Sequence, residues 1–140
     1  VFRQGPIPAA LHGLIEYAAG ILLVAAPFLF SFDEGSATAV AIVAGVVVLI
    51  VAASTAMPTG LIKSIPVQAH VMLDYLLAIV LIASPFIFGF DNDGTATAFF
   101  IILGVAHLLI TIATRFVKDQ RPPRRRKGRR GAEPAPPEAH

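Results

Sequence analysis

Between Glu34 and Lys63 the chain carries no charged side chain, and between Lys63 and Asp91 it carries one, Asp74. Few folds accept such stretches. A bilayer's hydrocarbon core takes about 20 mostly apolar residues as a helix, and four runs of that kind can be placed, at 9–30, 36–57, 67–88 and 96–117. Each holds about 22 residues, roughly 33 Å of helix, enough to cross with some tilt. Inside hydrocarbon the backbone must satisfy its own hydrogen bonds, which favours helices. The β-branched second run (VAIVAGVVVLIV) would suggest a strand in water, but its length and lack of alternation decide for a helix. With 56% hydrophobic and 14% charged residues and a mean hydropathy of +0.75, the 140-residue chain is no ordinary soluble domain. It has no cysteine, so disulfide and thiol chemistry are excluded. The opening VFRQGPIP lacks the layout of a secretory signal, and the first run is too long for one. A retained first helix is expected, and the leading valine raises the expectation that the natural start lies upstream.

The four runs are two pairs. Residues 7–34 align with 65–92 at a constant offset, with 12 identities in 28 positions. After one inserted residue, Asp93, residues 35–57 align with 94–116, with 9 identities in 23. The chain therefore reads as an all-α membrane protein of four transmembrane helices, built as two tandem, parallel-related helical hairpins. The hairpins span about 7–57 and 65–116, and a pseudo-twofold axis along the membrane normal relates them. The membrane domain extends over 1–117.

Charge sets an expected orientation. The two hairpin turns, FDEGSAT and FDNDGTAT, contain only acids. Basic residues lie at Arg3, Lys63 and from Arg115 onward. Excess Lys and Arg marks the cytoplasmic side, so both termini and the central connection are expected there, in the cell membrane. Residues 1–117 carry three basic and six acidic side chains, −3, whereas 118–140 carry eight and three, +5. That last segment, rich in Pro, Gly and Arg, is expected to be a disordered cytoplasmic tail. Arg121, Arg124, Arg125, Arg126, Lys127, Arg129 and Arg130 crowd ten positions after the last run. They fit attraction to anionic lipid headgroups. Without aromatics for stacking or a folded reader, nucleic acid is not an expected partner. A homo-oligomer or a second membrane protein is.

Around Pro85 the residues resemble a known family. Ser84-Pro85-Phe86, then Ile-Phe-Gly-Phe, an acidic turn, small residues and a glycine in the next run, resemble the SPW repeat of small, mostly prokaryotic integral membrane proteins. The first copy carries Ala26-Pro27-Phe28. Phenylalanine in place of tryptophan keeps aromatic bulk and removes the indole donor. The resemblance covers about 7–116 and implies an architecture of helical hairpins, often present twice; it implies no reaction.

Three histidines and two carboxylates lie inside the apolar runs. His12 and Glu16 stand at i and i+4, as do His70 and Asp74, so each pair shares a helix face. Glu16 and Asp74 fall about 10 Å inside the inner boundary. Ionisable groups there are costly unless paired or wetted, so they should face the bundle interior, at the repeat interface. His107 has Val48 as its repeat counterpart and breaks the symmetry. Three roles fit: a structural clamp in which each acid bonds its own histidine or the tyrosine of the other repeat, a proton or ion pathway, and a metal site. Repetition favours the clamp, and neither a metal nor a cofactor is expected. Tyr17 and Tyr75 are read as packing groups. The prolines should end or loosen their helices, leaving the alternating phenylalanines at the interface. Ser36 and Thr95 are expected to cap the second and fourth helices, and Ala37, Ala41 and Gly45 to form a close-packing face within the hairpin. No nucleophile–base set, phosphate loop or zinc motif appears, so an enzyme is not expected. The expected function is a structural or protein-interaction module of the membrane, with proton- or ion-coupled transport as the alternative.

Overall fold

The computed structural model describes residues 5–116. Four helices follow one another: α1 (Ala9–Leu29), α2 (Gly35–Ser54), α3 (Val67–Ile87) and α4 (Gly94–Ala113). All four are long and apolar enough to cross a membrane, and the chain is an all-α membrane protein. Lipid-facing surface is plain on every helix: Leu14, Ile21, Val43, Ile50, Met72, Ile79 and Ile102 are all exposed. The basic tail from Arg121 to Arg130, Arg3 and the remaining residues before 5 and after 116 lie outside the described residues.

α1 packs tightly on α2, and α3 on α4, whereas contact between the two pairs is sparse. Small residues set the closeness. Ala37, Ala41 and Gly45 are buried on α2 as expected of a packing face, and a methyl group on Gly45 would stand 2.7 Å from the Gly20 carbonyl oxygen. In the second hairpin, Gly104 faces Ala78 and Ile82 in the same way. Such small residues let backbones approach where the hydrophobic effect gives no drive between helices.

Each odd-numbered helix begins directly after a proline, Pro8 or Pro66, whose φ of −65° or −61° is already suitable for a helix start. Each runs two residues past its internal proline, Pro27 or Pro85. Ser31 (φ 50°) and Gly89 (φ 70°) then turn left-handed. The Phe32 N–H reaches the Pro27 carbonyl at 3.1 Å, and the Phe90 N–H that of Pro85 at 2.9 Å. This is the six-to-one bond that closes a helix through a left-handed residue. The helix does end near proline, as expected, but the phenylalanines divide. Phe28, Phe30, Phe86 and Phe88 are exposed, while Phe90 is fully buried against Phe100, ring centroids 5.0 Å apart.

Four expectations about helix ends need correction. α2 and α4 stop at Ser54 and Ala113 rather than near 57 and 117. Thr55 and Thr114 take extended backbone there (ψ 143° and 138°) because the chain leaves each helix to pair with the start of the opposite hairpin. Thr55 bridges Ile65, and the short strand β1 (Ile7–Pro8) pairs in parallel with β2 (Thr114–Arg115). Neither Ser36 nor Thr95 is a cap; both lie one residue inside their helices. The α4 cap is Asp93, the inserted residue, whose carboxylate accepts from the Ala96 N–H at 3.0 Å. The position before α2 is Glu34, with no side-chain cap bond.

Candidate functional site

α1 and α3 carry the ionisable residues to the middle of the molecule, at the end opposite the hairpin turns. His12, Glu16, His70 and Asp74 are all buried, none more than 3% exposed. The i, i+4 spacing aims both residues of a helix at the other helix, and the contacts run crosswise. His12 Nε2 lies 3.1 Å from Asp74 Oδ2, and His70 Nε2 lies 3.2 Å from Glu16 Oε2. Within a helix the separations are longer, 3.9 Å for His12–Glu16 and 3.4 Å for His70–Asp74. The expectation that each acid bonds its own histidine is therefore corrected: the nearer partner belongs to the other hairpin. The tyrosine alternative also fails for Tyr17, whose hydroxyl donates to the Thr59 carbonyl in the central connection at 2.9 Å.

The opposite nitrogens of both histidines are held by residues absent from the sequence-based set. His12 Nδ1 lies 2.9 Å from Thr114 Oγ1, and His70 Nδ1 lies 2.8 Å from Thr55 Oγ1. Each threonine comes from the hairpin that does not carry its histidine. Each hydroxyl also donates to the carbonyl four residues back, Ile110 or Val51, at 2.6 Å. The one hydroxyl hydrogen is thereby committed, so Nδ1–H must be the donor to threonine. That leaves Nε2 as the atom facing the carboxylates. Thr55 and Thr114 were visible as an identity between the repeats, but threonine is common in helices and nothing in the spacing marked them.

His107 joins the cluster from α4, with Nε2 3.6 Å from the second oxygen of Asp74, Oδ1. Phe116 closes one side, its ring 4.9 Å from that of His12 and 6.3 Å from that of His70. Five atoms converge here without an aligned hydrogen-bond partner among the described residues: His12 Nε2, Glu16 Oε2, His70 Nε2, Asp74 Oδ2 and His107 Nε2. Four residues, His12, Glu16, His70 and Asp74, each offer one ligand atom within 4.8 Å of the others. A groove of about 480 Å³ between α2 and α3 reaches Glu16 and Asp74, and its remaining wall is Ala, Val, Leu and Phe.

The repeat-signature residues are elsewhere. Pro27, Phe28, Ser84, Pro85 and Phe86 lie at the turn end, with Phe28 and Phe86 exposed and Ser84 buried. At that end Asp93 ties the hairpins together. Its Oδ2 accepts from the backbone N–H groups of Asp33 at 2.8 Å and Glu34 at 3.2 Å, while its Oδ1 caps α4. Burial alone would raise the Asp93 carboxyl, but the N–H groups of Ala96, Glu34, Asp33 and Thr95 outweigh it and hold the group below the usual carboxylate range. The DNDG turn thus uses this carboxylate on backbone.

A family model described as "SPW repeat domain" matches residues 10–114, covering both hairpins. No curated protein and no solved structure matches the chain.

Proposed function

The chain belongs to the SPW repeat family, and from that premise we propose that it is a structural or protein-interaction module of the cell membrane, made by duplication of one hairpin. The observation that carries this is the crosswise cluster. Its ionisable groups face one another between hairpins whose helices approach each other closely at few points. Buried polar groups that can be satisfied only by a partner segment specify how two segments dock.

Transport is the weaker alternative for a physical reason. An ion leaving water needs a file of polar groups to replace its hydration, and the groove reaching Glu16 and Asp74 is apolar apart from those two residues. The Lys and Arg distribution supports termini and central connection on the cytoplasmic side. There the basic tail would add attraction to anionic lipid of about 1 kcal/mol per basic residue near the surface. Partners of such a module are a second copy or another membrane protein.

The test is reconstitution into vesicles loaded with a pH-sensitive dye, alongside chemical cross-linking in native membranes. The proposal expects proton flux no greater than empty vesicles under an imposed gradient, and a discrete cross-linked oligomer or complex. Flux that disappears in Glu16→Gln would overturn it in favour of the pathway.

A further inference from the structure

We infer that His12, His70, Glu16 and Asp74 form a binding site for one borderline divalent transition-metal ion, of the Zn²⁺, Fe²⁺ or Mn²⁺ class, inside the membrane domain. This departs from the expectation, drawn from the sequence, that no metal is held.

Geometry comes first. The four histidine–carboxylate separations are 3.1, 3.2, 3.4 and 3.9 Å, and the whole set fits within 4.8 Å. A tetrahedral shell with metal–ligand bonds of about 2.0–2.1 Å has edges of roughly 3.3–3.4 Å. The four histidine–carboxylate separations lie within about 0.5 Å of those edges, and the remaining two are no longer than 4.8 Å, so the set closes on one ion by drawing together.

Hydrogen placement comes second. Both Nδ1–H groups donate to threonine hydroxyls, so each imidazole, when neutral, presents an Nε2 lone pair to carboxylate lone pairs. Such a face is repulsive until a cation or protons sit between. Ligating histidines characteristically donate their other N–H to an oxygen that fixes ring and tautomer, and Thr55 and Thr114 do this here.

Charge and donor type come third. Two carboxylates buried in an apolar bundle carry −2, which one divalent ion balances with the imidazoles neutral. Two imidazoles with two carboxylates suit borderline ions, whereas Ca²⁺ and Mg²⁺ prefer oxygen alone and Cu⁺ prefers sulfur. His107, against the second oxygen of Asp74, is a positioning residue for that carboxylate.

The site shares its residues with the proposed clamp, yet the two fail separately. A cluster that holds only protons can still clamp the hairpins, and proton flux would overturn the structural function without touching metal binding.

The full chain, purified in detergent and stripped with chelator, is titrated with Zn²⁺ alone and with Co²⁺ alone. Bound metal is counted by mass spectrometry of the elements, and Co²⁺ geometry is followed by visible absorption. The expected result is one Zn²⁺ per chain, a raised Tm, and the intense bands of four-coordinate Co²⁺. His12→Gln and His70→Gln together should abolish them. Thr55→Val and Thr114→Val, which leave all four ligands in place, should each weaken binding about 10- to 100-fold. Asp93→Asn should retain the full equivalent. Absence of stoichiometric binding by the parent chain overturns the proposal. So does unchanged binding in the double histidine variant, which would place the ion elsewhere, or a six-coordinate Co²⁺ spectrum insensitive to every substitution. The parent spectrum decides the matter even if the double variant does not fold.

Discussion

The two ends of this molecule join the same pair of hairpins by different physics. At the turn end, Phe32 meets Phe99 and Phe100 with centroids 5.7 and 6.4 Å apart, and Asp93 accepts N–H groups from the other hairpin's turn. Ring packing tolerates small shifts, and one carboxylate clasping backbone supplies register. At the opposite end, two histidines, two acids and two threonines interlock crosswise, and each hairpin's last residues pair with the first residues of the other. That end repeats its contacts in both directions apart from His107, whereas at the turn end the clasp runs one way, from Asp93 to the N–H groups of Asp33 and Glu34. Aromatic packing alone supplies contact without a unique geometry. Buried charge supplies the geometry and penalises every alternative docking.

Substitutions at the two ends should therefore differ in size and in kind. The largest effect is expected from Asp74→Ala, which leaves His12, His70 and His107 facing a void. Breaking one member of a buried ionic set costs about 3–5 kcal/mol, measurable as a lowered unfolding midpoint in detergent. Replacing His12, Glu16, His70 and Asp74 together by leucine should recover much of that loss while weakening hairpin docking, seen as broadened NMR resonances.

At the turn end, Phe100→Ala should cost about 2–3 kcal/mol, mostly the cavity part of a large-to-small change, because lipid offers little transfer term. Its effect on the resonances of His12 and His70 should be small. Thr55→Val and Thr114→Val should each cost about 1–3 kcal/mol by stranding a buried N–H. The two costs should match if the pseudo-twofold relation holds energetically, and unequal midpoints would break it.

The smallest effect is expected from Asp93→Ala, about 1 kcal/mol for a lost cap and clasp. It carries a pH signature. The Asp93 carboxyl is depressed in the folded state, so its contribution is fully present above the ordinary carboxylate range and fades as pH falls through the depressed value. Asp93→Asn should flatten that acid limb of a stability profile by lowering stability in the neutral region, and should converge with the parent at the acid end.

Much of this was legible in the residues. Charge-free runs of spanning length dictate four helices, because hydrocarbon leaves the backbone few alternatives. The doubled His-x-x-x-acid spacing placed His12, Glu16, His70 and Asp74 together, because i, i+4 residues share a face and buried charge must turn inward. The crosswise pairing was not legible, since it depends on how α1 and α3 sit relative to each other. Thr55 and Thr114 escaped notice for a related reason: a threonine that ends a helix looks like any other until its hydroxyl meets a histidine 15 or 102 residues away. Asp93 looked like extra length in a turn, whereas its carboxylate reaches the N–H groups of Asp33 and Glu34 in the other hairpin.

The crosswise joint is tested most directly by double-mutant cycles on Glu16, using Glu16→Gln with His70→Gln and, separately, with His12→Gln. The two distances, 3.2 Å to His70 and 3.9 Å to His12, predict a coupling energy of at least about 1 kcal/mol between hairpins and a smaller one within the helix. A larger coupling to His12, or no coupling to His70, would contradict it.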